Sequence, residues 1–188
     1  MFPNLPSWDS IHPLIVHFPI ALILVAPIFV IASMVFRKSA FPLGACALIL
    51  MAMGTVGAIL AVATGEAGAE LAERVPGVEV TLEKHEDLAE TTRTMLIVVT
   101  VVYALIVAAP LAMKKLMDPV PSTLLNVSFL VLYLVGASFL INTAHQGGLL
   151  VHAYGVHAML GPSTPQDASS EVAENDQARE EDEEAGER

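Results

Sequence analysis

The chain has 188 residues, of which 54% are hydrophobic and only 15% are charged. This balance is far more apolar than that of an average soluble domain, and it predicts a membrane protein. The formal net charge of −11 argues against nucleic-acid binding, which depends on basic side chains that neutralise phosphates. The single cysteine excludes an internal disulfide, a cysteine-only metal cage and a c-type haem attachment motif.

Most of the negative charge belongs to the end of the chain. Residues 162–188 contain ten acidic and two basic side chains, so they contribute −8 of the −11, and the other residues contribute −3. This segment has too few apolar residues to bury a core. We therefore predict a membrane domain over 1–161 and a disordered acidic C-terminal tail over 162–188.

Four apolar runs are each long enough to cross the hydrocarbon core, which takes about 20 helical residues. The predicted spans are 14–36, 43–64, 94–113 and 123–143. Short connections favour antiparallel neighbours. The expected fold is therefore all-α, an antiparallel four-transmembrane-helix bundle.

The first two spans carry residues that suit close helix packing. Pro19 and Pro27 predict bends in the first span, which the interior of a bundle can accommodate. Gly54 and Gly57 in the second span, together with Ala58 and Ala61, form a face of small residues that lets helices approach closely.

The segments outside the spans contain helical stretches and breaks. Gly65 opens the connection after the second span, whose first part, GEAGAELAER, is helix-like until the break predicted at Pro76-Gly77. A second helical stretch begins near Thr81, and we expect it to run without interruption into the third span. The run HQGGLLVHAYGVHA after the fourth span is too short and glycine-rich to form a fifth span.

Lysine and arginine set the expected orientation. Arg37, Lys38, Lys114 and Lys115 lie in the two short connections that follow the first and third spans. The positive-inside rule then places both connections in the cytoplasm. The expected protein is a multi-pass protein of the inner (cytoplasmic) membrane with both termini and the acidic connection outside.

With that topology, all six histidines gather at the outer face. Ionisable residues at membrane depth are costly to bury and so indicate a functional site. The cluster comprises His12 and His17 before and within the first span, His85 before the third, and His145, His152 and His157 after the fourth.

Helical spacing predicts which histidines share a direction. His12 and His17 are five residues apart, about 140° around a helix, so both cannot face one centre. We expect His17 to point inward and His12 to lie at the mouth of the helix. His145 and His152, seven residues apart, share a face if the helix continues through Gly147-Gly148.

Three interpretations of the cluster stay open. In the first, two imidazoles from different helices ligate a b-type haem in the bundle core, and the candidate ligands are His17, His85, His145 and His152. In the second, a non-haem iron or zinc ion is held by a mixed site that draws on His12, Glu66 and Glu86. These residues also suit the alternative role of hydrogen-bonding to a ligating imidazole and orienting it. In the third, the histidines are structural, and the protein is a non-catalytic scaffold or assembly subunit of a larger membrane complex. No residue is assigned a catalytic role.

Three motifs of the chain resemble one known family. The run IHPLIVHFPIAL, the second-span ending ATGEAGAE, and His85 with HQGGLLVH resemble the hallmarks of the membrane proteins of domain of unknown function 2231, over about residues 10–157. Many relatives have an aromatic residue at the position of His152 and a histidine at that of Tyr154. The resemblance implies a four-helix membrane fold without an assigned function.

The family is also loosely similar to the haem-bearing cytochrome b four-helix proteins. That similarity implies electron transfer at the outer face, with a c-type cytochrome or a membrane quinone as partner. The acidic tail suits long-range attraction of a cationic soluble cytochrome. This chain has no histidines for a second haem on the cytoplasmic side, so the resemblance implies haem at one face only.

Overall fold

The computed structural model describes residues 11–113 and 119–156, apart from the side chains of 70–71, 111–113 and 119–121. Over this part of the chain it contains four long α-helices, one short 3-10 turn and no β-strand. The helices are α1 (His12–Val35), α2 (Ala40–Ala72), α3 (Glu79–Met113) and α4 (Pro119–His152). The predicted acidic tail, Lys114, Lys115 and His157 lie outside the described residues.

Each of the four helices makes up most of a helical segment that is long and apolar enough to cross a membrane. These segments are His12–Val35, Arg37–Ala69, Glu79–Pro110 and Ser122–His152. The predicted all-α fold with four spans is therefore confirmed. Helices α2, α3 and α4 have 33, 35 and 34 residues, which at about 1.5 Å per residue exceeds the roughly 30 Å of hydrocarbon.

Two helices are longer than the sequence predicted. Helix α2 does not stop at Gly65 but continues to Ala72, and α4 continues across Gly147 and Gly148 to His152. Glycine within a helix costs only about 1 kcal/mol, which tertiary packing can offset. The expected break occurs before α3, where Gly77 has a φ of +80°, and α3 then runs uninterrupted into its span as predicted.

The helices associate as two hairpins. Helix α1 packs mainly on α2, α3 packs mainly on α4, and α2 joins the hairpins through α3. Helices α1 and α4 touch sparingly, whereas α1 and α3 lie diagonally opposite each other. Side chains from all four helices form the main core, including Ile23, Met51, Leu96, Tyr103 and Tyr133.

Glycine lets α1 and α2 approach closely, as predicted. A Cβ atom added to Gly54 would lie 2.7 Å from Cδ1 of Ile23, and one added to Gly57 would lie 3.1 Å from Cδ of Pro19. The first distance is too short for normal contact and the second is unusually tight, so a side chain at either position would require Ile23 or Pro19 to shift.

A proline in α1 explains a buried hydrogen bond between the hairpins. Pro27 has no N–H, so it leaves the carbonyl of Ile23, four residues earlier, without its usual helical donor. The hydroxyl of Tyr133 on α4 donates to that carbonyl at 2.6 Å. The missing N–H of Pro27 thus leaves free the acceptor that binds α4.

Candidate functional site

His12 of α1 and His85 of α3 meet across the diagonal of the bundle. Their ring centroids are 6.4 Å apart, and the ring planes are nearly perpendicular, at 87°. Both side chains are half-buried. Because α1 and α3 make no backbone approach, these imidazoles bridge the gap between the two hairpins.

Helix α2 holds the His12 ring. Nδ1 of His12 lies 2.8 Å from the carbonyl oxygen of Ala61 and 3.1 Å from Oγ1 of Thr64. A carbonyl can only accept, so Nδ1 carries the proton and donates. Gly65, one turn after Ala61, lies against the ring. A Cβ atom added there would be 3.1 Å from Cε1 of His12.

Helix α4 holds the His85 ring in the same way. Nδ1 of His85 donates to the carbonyl oxygen of Thr143 at 3.0 Å. Gly147 follows Thr143 by four residues, and a Cβ atom there would lie 3.1 Å from Cε1 of His85. Thr143 is itself tied to α3, since its hydroxyl lies 2.8 Å from the hydroxyl of Thr92.

These contacts assign the tautomer of both rings. With the proton on Nδ1, each Nε2 carries a lone pair and can act as a metal ligand. In both rings, Nε2 is also farther than Nδ1 or Cε1 from a Cβ atom added to the adjacent glycine, which is Gly65 for His12 and Gly147 for His85. The described residues contain no buried side-chain nitrogen or oxygen without a hydrogen-bond partner, so the two Nε2 atoms are not sealed into the packing.

The expected orientation of the first two histidines is reversed. His17 is exposed on α1, where its Nδ1 donates to the carbonyl oxygen of Pro13 at 2.7 Å, and His12 points into the bundle. The predicted angular separation is correct, but contact with α2 selects the other residue. The structure does not bring His17 to His85.

His145 and His152 lie on α4 beyond the point where the sequence predicted its end. The helix continues through both glycines, so these two histidines share a face, and both are exposed. That face is turned away from Thr143 and Gly147, which contact His85. They are therefore not close to the His12–His85 pair.

Glu66 and Glu86 are exposed and line the same end of the bundle. The carboxylate of Glu86 interacts electrostatically with those of Glu73 and Glu66 across the α2–α3 junction. Backbone carbonyls, rather than these carboxylates, orient the two imidazoles. Among the described residues, no group of three or more His, Cys, Asp or Glu side chains is arranged to hold a metal ion.

The opposite end of the bundle is marked by a basic side chain. The guanidinium of Arg37, in the turn between α1 and α2, donates to the hydroxyl of Thr123 near the start of α4. The histidine pair and the acidic residues thus lie at one end, and Arg37 lies at the other.

Sequence reasoning missed the residues that hold the two rings: Ala61, Thr64, Gly65, Thr143 and Gly147. A common signal exists in retrospect. In both hairpins the accepting carbonyl precedes by four residues a glycine that leaves room for an imidazole. Ala61 and Thr143 act through the backbone, however, so their side chains carry no recognisable metal-site chemistry.

Comparison with known proteins identifies a family. No curated protein and no solved structure matches the chain significantly. Residues 9–159 match a family described as predicted membrane protein (DUF2231), which covers the four helices and both histidines of the pair. The chain therefore belongs to the DUF2231 family of predicted membrane proteins.

Proposed function

We propose that His12 and His85 are the axial ligands of a b-type haem and that the protein is a membrane electron-transfer protein or subunit. The observation that carries this proposal is the pairing of two imidazoles from diagonal helices, each with its Nδ1–H donated to a backbone carbonyl. Such a bond is the usual device that fixes the tautomer of a ligating histidine and raises its basicity.

The ring spacing fits a shared metal. With metal–nitrogen bonds of about 2 Å on opposite sides, two imidazole centroids lie about 6 Å apart, compared with 6.4 Å here. Gly65 and Gly147 keep the space behind each ring free of side chains. Among the neighbouring helices, α1 and α4 contact each other least.

The donor set favours haem over a non-haem iron or zinc ion. A haem needs only two axial ligands from the protein, whereas structural zinc takes four and catalytic zinc three. The described residues offer a histidine pair without a third donor in reach. A bound haem would supply one-electron redox chemistry, and the chain would contribute the two ligands and their carbonyl orientation.

The position of the pair suits exchange with the outer aqueous phase. Residues 65–93, which surround it, include eight acidic and three basic residues, a net of −5, so this end of the bundle is solvated. The basic connections mark the other end as cytoplasmic by the positive-inside rule. We infer an inner-membrane protein with both termini outside, whose partners are a cationic c-type cytochrome, a membrane quinone or other subunits of a complex.

The test is an optical spectrum of the full chain, expressed with ample haem and purified in detergent, before and after reduction with dithionite. We expect a sharp reduced α-band and near-stoichiometric iron. His12→Ala and His85→Ala should each abolish the six-coordinate spectrum. His17→Ala is the matched control, because it removes an exposed histidine of the same helix, and it should leave the spectrum intact.

Other outcomes would redirect the assignment. Loss of haem in His17→Ala but not in His12→Ala would overturn the ligand pair. Iron or zinc without a haem spectrum would favour the mixed His/Glu site with Glu66 and Glu86. A folded protein with neither chromophore nor metal would contradict the electron-transfer proposal and favour the scaffold or assembly subunit.

A further inference from the structure

The planes of the His12 and His85 rings are nearly perpendicular, at 87°. An imidazole that binds a metal through Nε2 can still turn about its bond to the metal, and that turn swings Nδ1 away from its partner. A hydrogen bond from Nδ1 to a fixed acceptor opposes the turn and so orients the ring. The angle between the two rings is therefore only as fixed as the carbonyls that accept from them, those of Ala61 and Thr143.

Thr143 on α4 is tied to α3 through both its backbone and its side chain. Its carbonyl accepts from Nδ1 of His85 at 3.0 Å, and its hydroxyl lies 2.8 Å from the hydroxyl of Thr92. The Thr143 hydroxyl donates its one proton to the carbonyl of Phe139, at 2.9 Å, so Thr92 is the donor within the threonine pair. Thr92 is only 3% exposed, so water does not compete for this bond.

The spacing of His85 and Thr92 gives α3 a two-point hold on one residue of α4. The two side chains are seven residues apart, so they share a face of α3, and both bond to Thr143. Two bonds separated along the helix axis resist both sliding and rotation of α4 against α3. Without the Thr92 hydroxyl, the His85 ring would have to hold Thr143 rather than be held by it.

The orientation of the rings has an electronic consequence when the pair ligates haem. Each imidazole donates π-electron density into the iron d orbital that extends perpendicular to its ring plane. Parallel rings act on the same orbital and separate its energy from that of its partner, whereas perpendicular rings raise both orbitals equally. In low-spin ferric haem, orbitals of nearly equal energy produce a highly anisotropic electron paramagnetic resonance spectrum. Hydrogen bonds to the ligands are thus a means by which the protein tunes a haem.

We propose that Thr92 is a positioning residue for His85, acting through Thr143, and that it keeps the two axial imidazoles of the haem perpendicular. The part of this inference that concerns haem rests on the proposed function. The contact from Thr92 through Thr143 to His85 stands without it, because it is formed by the chain alone.

Electron paramagnetic resonance of the oxidised, haem-loaded chain tests the ring orientation. We expect a highly anisotropic low-spin signal with one prominent low-field feature. Thr92→Val keeps the shape of the side chain but removes the hydroxyl, so it should shift that feature to higher field, and Thr92→Ser should restore it. Haem affinity should fall by less than about 10-fold, the lower limit for loss of a group bonded directly to a metal ligand.

Thr100→Val is the matched control for Thr92→Val. Thr100 also lies on α3, about 12 Å further along the helix, and its hydroxyl is 2.8 Å from that of Thr55 on α2. Both substitutions remove a bond between threonine hydroxyls of neighbouring helices, so they should reduce the free energy of unfolding similarly. Only Thr92→Val should change the spectrum. Equal spectral shifts in both variants would indicate general loosening of the bundle and would contradict the proposal.

Nitrogen NMR of the haem-free chain, with isotope-labelled histidine, tests the positioning role without haem. The signals of His85, assigned by their loss in His85→Ala, should show the proton on Nδ1. Thr92→Val should shift these signals towards the average of the two tautomers, because Nδ1 then has a less fixed acceptor. Thr100→Val should leave them unchanged.

The contrary outcomes overturn distinct parts of the proposal. A rhombic spectrum with three resolved features in the unmodified chain would show that the axial rings are closer to parallel. Unchanged NMR signals in Thr92→Val would remove its positioning role. A chain that binds no haem would contradict the proposed function, whereas the tautomer measurement would still decide whether Thr92 holds His85, so the two failures are distinguishable.

Discussion

The two hairpins hold their histidines by the same contacts, although their sequences differ. In the α1–α2 hairpin, His12 donates to the carbonyl of Ala61 and rests on Gly65. In the α3–α4 hairpin, His85 donates to the carbonyl of Thr143 and rests on Gly147. The comparison shows that an imidazole is positioned here by a carbonyl and a glycine one helical turn apart, with no requirement for a polar side chain.

The hairpins differ in how firmly the histidine is anchored. His12 is the first residue of α1, where helices fray, but it gains a second acceptor in Thr64. His85 lies six residues inside α3, which begins at Glu79. We therefore expect His85 to be held more rigidly than His12, and four experiments test this difference between the hairpins.

The largest expected effect is a difference in haem binding between the His85→Ala and His12→Ala variants. We expect His85→Ala to reduce haem affinity by more than the roughly 10–100-fold that is lost when a group hydrogen-bonded to a metal ligand is removed. His12→Ala should lose the six-coordinate spectrum but keep more iron, because His85 stays fixed within α3. Haem titration of both variants measures this difference. Equal retention of haem would contradict the unequal anchoring.

Glycine substitutions test whether the two contacts are equivalent. Gly65→Ala and Gly147→Ala each place a methyl group 3.1 Å from Cε1 of the facing histidine, so each should reduce the free energy of unfolding by about 2–3 kcal/mol through overpacking. Unfolding in mixed micelles with increasing dodecyl sulfate measures the change.

Gly148→Ala provides the control for that pair. A Cβ atom at Gly148 meets nothing within 4 Å, so alanine there should be neutral or stabilising by up to about 1 kcal/mol through helix propensity. Equal losses at Gly147 and Gly148 would show that helix geometry, rather than the imidazole, accounts for the cost.

A smaller effect should come from the hydrogen bond that joins the hairpins. Tyr133→Phe leaves the carbonyl of Ile23 without a donor in a buried site, which should cost about 1–2 kcal/mol of unfolding free energy. Pro27→Ala restores the helical N–H to that carbonyl, so Tyr133→Phe should cost less in the Pro27→Ala background. A double-mutant cycle measures the coupling, and additive effects would contradict this explanation.

The smallest expected effect concerns the acceptor found only in the first hairpin. Thr64→Val removes the hydroxyl beside Nδ1 of His12 and should cost about 0.5–1 kcal/mol, because the bond to Ala61 persists. Thr94→Val is the control, since Thr94 makes the same hydroxyl bond to the carbonyl four residues earlier, at 3.0 Å, without a histidine. If Thr94→Val lost more unfolding free energy than Thr64→Val, the contact of the Thr64 hydroxyl with His12 would not explain the effect.

Sequence reasoning performed well where the physical signal is local. A run of about 20 apolar residues crosses a membrane whatever its neighbours are, so the four spans could be predicted. The close approach at Gly54 and Gly57 was also predictable, because small residues on one helical face have that role in membranes. It performed less well at helix ends, where the cost of Gly65 or of Gly147-Gly148 is small enough for packing to decide.

The class of the protein, the number of its helices and the position of the described histidines at one end of the bundle can be read from the amino-acid sequence. Which of these histidines meet depends on how the helices pack against one another. Helical spacing correctly predicted that His12 and His17 point in different directions. Which of the two enters the bundle depends on contacts with Ala61 and Gly65, about 50 residues away on another helix. Helical periodicity fixes the angle between two side chains, whereas the rotation of the helix as a whole is set by the surface against which it packs.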